Sequence, residues 1–151
     1  MQERLLENAM RLHGNTVLRI AYSVLRNMHD AEDIFSDVFF ALFKSQKRFE
    51  NDNHLRAWLI RVAANKAINY KKSFFRSKKV PLHEGIEDKR EERDLDVSLA
   101  LAKLKPLDSA ILYLHYFEGY NFAEIADTLK INRSSVRSRA MRAKEKLREI
   151  L

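Results

Sequence analysis

Carboxylates, histidines and hydroxyls are the groups through which this chain could do metal or covalent chemistry. Asp30, Glu32, Asp33 and Asp37 crowd into the stretch DAEDIFSD. Clustered carboxylates can hold a cation or work as an acid/base pair. No histidine or glycine-rich loop accompanies them. The five histidines, at positions 13, 29, 54, 83 and 115, show no ligand spacing, and there is no cysteine. A nucleophile motif and a phosphate loop are also missing. The sequence therefore predicts no enzyme, no metal and no cofactor. Wound as a helix, DAEDIFSDVFFALF turns Ile34, Phe35, Val38, Phe39, Leu42 and Phe43 to a wide core arc. Asp33, Ser36, Asp37, Phe40 and Lys44 fall on the other side. A phenylalanine among carboxylates on an outer face points to protein docking.

Binding chemistry is richer than reaction chemistry. In NRSSVRSRAMRAKEKL, residues 132–147, successive positions about 100° apart place Val136, Ala140, Ala143, Leu147 and Ile150 on one narrow stripe. Ser134, Ser135, Ser138 and Arg142 lie opposite. Arg133, Arg137, Lys144 and Arg148 flank one border, and Arg139 and Lys146 the other. Small serines let a helix sink into a narrow space, and flanking cations match the two phosphate rims of a major groove. The bland counterpart is an amphipathic surface helix with ordinary charged decoration.

A second candidate surface lies on residues 54–75. One stripe, Leu55, Leu59, Val62, Ala63 and Tyr70, reads as core. Beside it run Trp58, Arg61, Asn65, Asn69 and Lys72. An aromatic, two amides and two cations on one face make a platform for single-stranded nucleic acid: stacking, base-edge contacts and phosphate contacts. Phe49, in the polar stretch before it, adds a stacking surface. Two readings fit Trp58, a stacking face or a core residue. Asn65 equally fits a bond to a neighbouring helix.

The elements that must hold these surfaces are helices. Only three glycines and two prolines occur, so tight hairpins have little punctuation. The pattern predicts a helix over 2–27, interrupted near Gly14. A second is capped by Asp30, and a long third starts near His54 with Asp52 or Asn53 as its cap. Residues 77–97 hold Pro81, Gly85 and a mixed-charge run, and read as a flexible linker. Beyond it, a helix from Pro106 ends before Gly119. Asn121 and Glu124 form a capping box for FAEIADTL, Lys130 and Ile131 turn, and Asn132 caps the last helix. A short helix, a tight turn and a second helix make a helix-turn-helix. The fold class expected is all-α: two small helical domains, 1–76 and 98–151, joined by the linker, the second containing the helix-turn-helix.

Charge supports that division. Residues 44–79 carry 11 basic and 2 acidic groups, and residues 130–151 carry 8 and 2. Between them, residues 80–97 carry 3 and 7. Two basic blocks separated by acidic chain draw polyanions by counterion release. No apolar run is long enough to span a bilayer, which predicts a soluble, cytoplasmic protein without membrane insertion.

The pieces together resemble a family. AYSVLRNMHDAEDIFSDVFFALFKSQKRF followed by LRAWLIRVAANKAINYKKSFFR is similar to domain two of a bacterial sigma factor, and LKPLDSAILYLHYFEGYNFAEIADTLKINRSSVRSRAMRAKEKL is similar to domain four. The short linker resembles that of the extracytoplasmic function (ECF) group of the sigma-70 family. The resemblance implies binding to core RNA polymerase, through its beta-prime clamp and beta flap, and to promoter DNA, with an anti-sigma factor as a further partner. It implies that Asp30, Glu32, Asp33, Asp37 and Phe40 dock on the clamp. Arg48, Phe49, Asn51, Trp58, Arg61, Asn65 and Asn69 would take the single-stranded minus-ten element and capture an unstacked base. Arg133, Ser134, Ser135, Arg137, Ser138, Arg139 and Arg142 would read the minus-thirty-five element as duplex. The acidic linker would follow a path otherwise taken by RNA, although its charge equally suits a solvated tether. Ser36-Asp37 stands where the family often has Gln-Glu, Ser134 where Gly is frequent, and Leu55 in place of a common Phe.

Two other functions compete. A helix-turn-helix regulator that never touches polymerase leaves the acidic docking helix and the stripe of Trp58, Arg61 and Asn65 unexplained. A helical scaffold without nucleic acid leaves both basic blocks unexplained.

Overall fold

The computed structural model describes residues 3–76 and 103–150, and the expected linker at 77–97 lies outside them. The described residues form six helices: α1 (Glu3–Leu25), α2 (Met28–Ser45), α3 (Asp52–Arg76), α4 (Pro106–Tyr116), α5 (Phe122–Leu129) and α6 (Arg133–Ile150). Helices α1 to α3 form one bundle and α4 to α6 a second.

Helix α1 runs without interruption. Ala9, Val17, Ile20, Ala21 and Val24 are buried along it, on the spacing of a single face. The glycine expected to break it has a packing role instead. A Cβ on Gly14 would lie 3.2 Å from Cε2 of Phe35, so the missing side chain makes room for the α2 ring. Asp30 is not the cap of α2. Asn27 takes that place, its side chain accepting from the Asp30 backbone N–H at 2.9 Å. The turn into α2 already uses Arg26 at positive φ, which sets the cap three residues earlier than the carboxylate pattern suggests. On α2, Ala31, Ile34, Val38, Phe39 and Leu42 are buried, while Phe43 stands at the edge, 45% exposed, rather than in the core.

Helix α3 begins earlier than expected, at Asp52, and its cap is Asn51, whose side chain accepts from the His54 N–H at 2.8 Å. Its burial is wider than one stripe. Leu59 and Ala63 are buried as expected, but so are Ile60, Ala64, Ala67 and Ile68. The cause is that α3 packs on two sides, against α1 and α2 and also against α4 and α5. Tyr70, expected in the core, is exposed, and its hydroxyl donates to Asp30 at 3.1 Å.

In the second bundle, Pro106 occupies the first turn of α4, where its missing N–H is not needed. After α4, Gly119 takes φ +77, a left-handed conformation suited to the residue after a helix end, and the Tyr120 N–H reaches back to the Leu114 carbonyl at 3.0 Å. The capping box is complete: the Glu124 N–H donates to Asn121 Oδ1 at 2.7 Å, and the Asn121 N–H donates to Glu124 Oε1 at 2.9 Å. Lys130 closes α5 in the left-handed region, and Asn132 caps α6 by accepting from the Ser134 N–H at 2.8 Å. Val136, Ala140 and Ala143 bury the narrow face of α6 against α4 and α5.

Candidate nucleic-acid interface

Helix α6 presents an open face. Ser134, Ser135, Arg137, Ser138 and Arg142 are all exposed, on the side away from Val136, Ala140 and Ala143. The short α5 and the αL turn at Lys130 set this face outward, because the α6 apolar stripe must lie in the angle between α4 and α5. Asn132 also accepts from the Ser134 hydroxyl and, at 3.3 Å, from the Ser135 N–H, so the two serines are fixed at the first turn. Arg133 pairs with Asp127 at 3.1 Å, with both side chains open to water, where phosphate can replace the carboxylate. Arg139 departs from expectation. It is partly buried and its Nη1 lies 2.9 Å from Asp108 Oδ1, joining α6 to the start of α4. It belongs to the bundle rather than to the open face. The reason is its position on the wheel: it borders the core stripe on the side where α4 begins.

The strip on α3 is built differently from a flat platform. Asn65, Asn69 and Lys72 are exposed and Arg61 is half-buried. Lys71, the other lysine of the pair, turns inward, and its Nζ donates to the Val24 carbonyl at 3.0 Å. Burial, with the charge of Arg26 beside it, lowers its pKa. Trp58 offers no open face: it is only 9% exposed. Phe49 covers it edge-on, ring centroids 5.8 Å apart, and also meets His54 edge-on at 5.1 Å. Trp58 therefore backs Phe49, which is the half-buried ring at the surface. Asn65 lies two turns further along α3 than Trp58, about 10 Å, so Phe49 and Asn65 are separate points on one strip. Arg48 and Asn51 are exposed on the same loop. Beside them a hollow of about 490 Å³ opens towards the start of α1, lined by Leu5, Asn8, Leu12, Arg48, Phe49 and Asn51.

The face of α2 that the sequence predicts for docking is open. Glu32, Asp33, Asp37 and Phe40 are exposed, Phe40 to 62%. Lys44 sits over the Phe40 ring at 5.2 Å. Asp30 is half-buried at the rim, held by Tyr70. Among the described residues no three metal-ligating side chains converge, and no helix is long and apolar enough to cross a membrane.

Sequence reasoning missed the contacts between the bundles. Arg56 of α3 places Nη2 2.9 Å from Glu118 Oε1, and its Nη1 donates to the Tyr120 hydroxyl. The guanidinium also lies 5.4 Å from the Tyr120 ring centroid. Glu118 accepts in turn from the Tyr113 hydroxyl at 2.6 Å. Burial first, then the bond to Glu118, push the Tyr113 phenol well above its ordinary value, with Arg19 of α1 partly opposing. Burial also raises the Tyr120 phenol, against the charge of Arg56. In sequence, Arg56 and Glu118 are an arginine on a helix and an acid in a turn, and no local pattern pairs them.

Residues 9–76 match the family described as Sigma-70 region 2, and residues 94–147 match Sigma-70, region 4. Among similar proteins, the ECF RNA polymerase sigma factor SigE of Mycolicibacterium smegmatis is 29% identical over 96% of this chain, which spans 61% of that protein's length. The RNA polymerase sigma factor CarQ of Myxococcus xanthus is 30% identical over 96% of this chain and 88% of its own. Among solved structures, the sigma factor RpoE of Bartonella quintana, in complex with the anti-sigma factor NepR, superposes with a TM-score of 0.72. It covers 95% of this chain and 94% of that one at 21% identity, and so shares the fold.

Proposed function

The chain belongs to the sigma-70 family, in its ECF group, and from that premise we propose that it binds core RNA polymerase and directs it to promoters. The first bundle, residues 1–76, docks on the polymerase clamp through Glu32, Asp33, Asp37 and Phe40, with Asp30 at the rim. Its α3 strip takes the melted minus-ten element. Phe49, backed by Trp58, stacks on an unpaired base, while Arg48, Asn51, Arg61, Asn65 and Asn69 hold the strand. The second region, residues 98–151, docks on the beta flap and reads the minus-thirty-five duplex with Arg133, Ser134, Ser135, Arg137, Ser138 and Arg142. The protein has no catalytic activity of its own, works in the cytoplasm, and is held in check by an anti-sigma factor.

One observation carries this reading: an open acidic and aromatic face and a basic, amide-rich strip lie on the same bundle, apart from the helix-turn-helix. A regulator that acts through its helix-turn-helix alone has no use for either. The test is transcription in vitro with core polymerase over a genomic fragment library, with co-purification of the core enzyme as a parallel measure. Discrete start sites that depend on added protein support the proposal. Duplex binding by α6 without any association with core polymerase would overturn it.

A further inference from the structure

We propose that His13 is a positioning residue for the base-capturing loop, acting through Asp52. The inference rests on the reading of Phe49 given above.

The loop is residues 46–51, between α2 and α3. It starts with Gln46 at φ 54 and ends at Asn51, the cap of α3. Its hydrogen bonds are local. The Lys47 N–H reaches the Ser45 hydroxyl at 3.2 Å, and the Glu50 N–H reaches His54 Nδ1 at 3.1 Å. These bonds shape the loop but do not fix it to the rest of the bundle. Among the described residues one polar contact ties this segment to another helix: His13 Nε2 on α1 lies 2.8 Å from Asp52 Oδ1, directly after the loop.

The two partners differ in burial. The His13 side chain is 6% exposed and the Asp52 side chain 58%. A buried ring nitrogen without a partner is costly, so Asp52 has a strong reason to stay where it is. Asp52 opens the first turn of α3, the turn on which Phe49 rests through His54. Asp52 also lines the hollow beside Phe49, together with Ala9 and Leu12 of α1. The link thus fixes the start of α3, and with it the ring that meets the base, against a helix that touches no base itself. A binding group held by packing alone drifts, and supporting hydrogen bonds keep it in place.

The experiment uses the full chain assembled with core polymerase, on a promoter fragment recovered from the library above. His13→Leu and Asp52→Ala should each lower the rate of strand opening about tenfold, equivalent to 1.4 kcal/mol. Closed-complex formation and polymerase affinity should stay within about twofold of the parent. Asp52→Asn keeps an acceptor for the ring N–H and should restore most of the rate. The double variant should be no slower than either single one, since both remove the same link. A pre-melted bubble template should rescue most of the defect. Asp52→Ala, at an exposed side chain, carries the test if His13→Leu fails to fold. Equal losses in closed complex, opening and melting temperature would mean that the link is only structural. Additive effects, or unchanged opening, would equally overturn the proposal. Phe49→Ala separates the two levels of argument. If it slows opening while Asp52→Ala does not, His13 has no positioning role and base capture stands. If Phe49→Ala leaves opening unchanged, base capture by this loop is wrong and the positioning role falls with it.

Discussion

Replacing Arg56 by alanine should release the second bundle from the first. In the structure the bundles touch, through α1 and α4 and through α3 with α4 and α5. A compact chain of this length has a radius of gyration of about 15 Å. The two promoter elements, roughly 25 base pairs apart by their names, are separated by about 85 Å at 3.4 Å per step. Packed bundles cannot reach both. The 26 residues from 77 to 102 could, if fully extended, reach about 90 Å. Binding a promoter at both ends therefore requires the Arg56 contacts to break. Their strength, added to that of the packing between the bundles, sets how readily that happens. A net contribution of about 1.5–3 kcal/mol is typical of hydrogen bonds to a charged group. Arg56 is 27% exposed and Glu118 12%, so water weakens the pair only in part. About 2 kcal/mol is a reasonable figure, and losing it raises the open-to-closed ratio roughly 30-fold. The chain has no cysteine, so Glu7→Cys with Glu149→Cys, both exposed positions, gives a clean pair for fluorescence energy transfer. The parent should show mainly high transfer, Arg56→Ala a larger low-transfer population, and the promoter complex low transfer only. Apparent affinity for core polymerase should rise with the open fraction. Identical transfer distributions for parent and Arg56→Ala, or high transfer persisting in the promoter complex, would refute the reasoning.

Three further outcomes are expected. Asp33→Ala with Asp37→Ala should weaken binding to core polymerase while circular dichroism stays unchanged, because both carboxylates are exposed on α2. Arg139→Ala should lower the melting temperature, by the equivalent of about 1 kcal/mol, and Arg142→Ala should not. Arg142→Ala should instead weaken duplex binding by about 1–3 kcal/mol if it meets a base edge. Tyr113 is raised above its ordinary value of 10.0 in the folded protein, chiefly by burial. The stability this contributes is fully present below about pH 10 and is lost as pH rises towards the raised value. Thermal unfolding between pH 9 and 11 should therefore fall more steeply for the parent than for Tyr113→Phe.

The helix-turn-helix was legible because its signals are local. Asn121 and Glu124 stand three residues apart, and the box they predict is present in full. Asn132 caps α6, and the narrow stripe of Val136, Ala140 and Ala143 is the buried one. The exposed half of α2 was equally readable, since Asp33, Asp37 and Phe40 share one side of a single helix. Errors of up to one turn at helix starts have a common source. Asn27 and Asn51 each stand one to three residues ahead of an acidic residue that also suits a cap, and only the backbone turn decides between them.

Helix α3 shows why the rest was not legible. A wheel assigns each residue one direction and assumes one buried side. Ile60, Ala64 and Ala67 are buried as well, on a helix that also packs against α4 and α5, which are close in space and remote in sequence, so the true buried arc is broader than any single stripe. Trp58, left open between a stacking face and a core residue, shows a different limit. Its direction is that of the exposed amides, yet Phe49 folds across it, because a large ring beside an open loop gains more by being covered than by facing water. The same covering determines what a base would meet: the Phe49 ring rather than the indole. Arg139 and Arg142 make the point in charge. They are three residues apart on one basic helix, but an aspartate at the start of α4 pairs with the first while the second stays exposed.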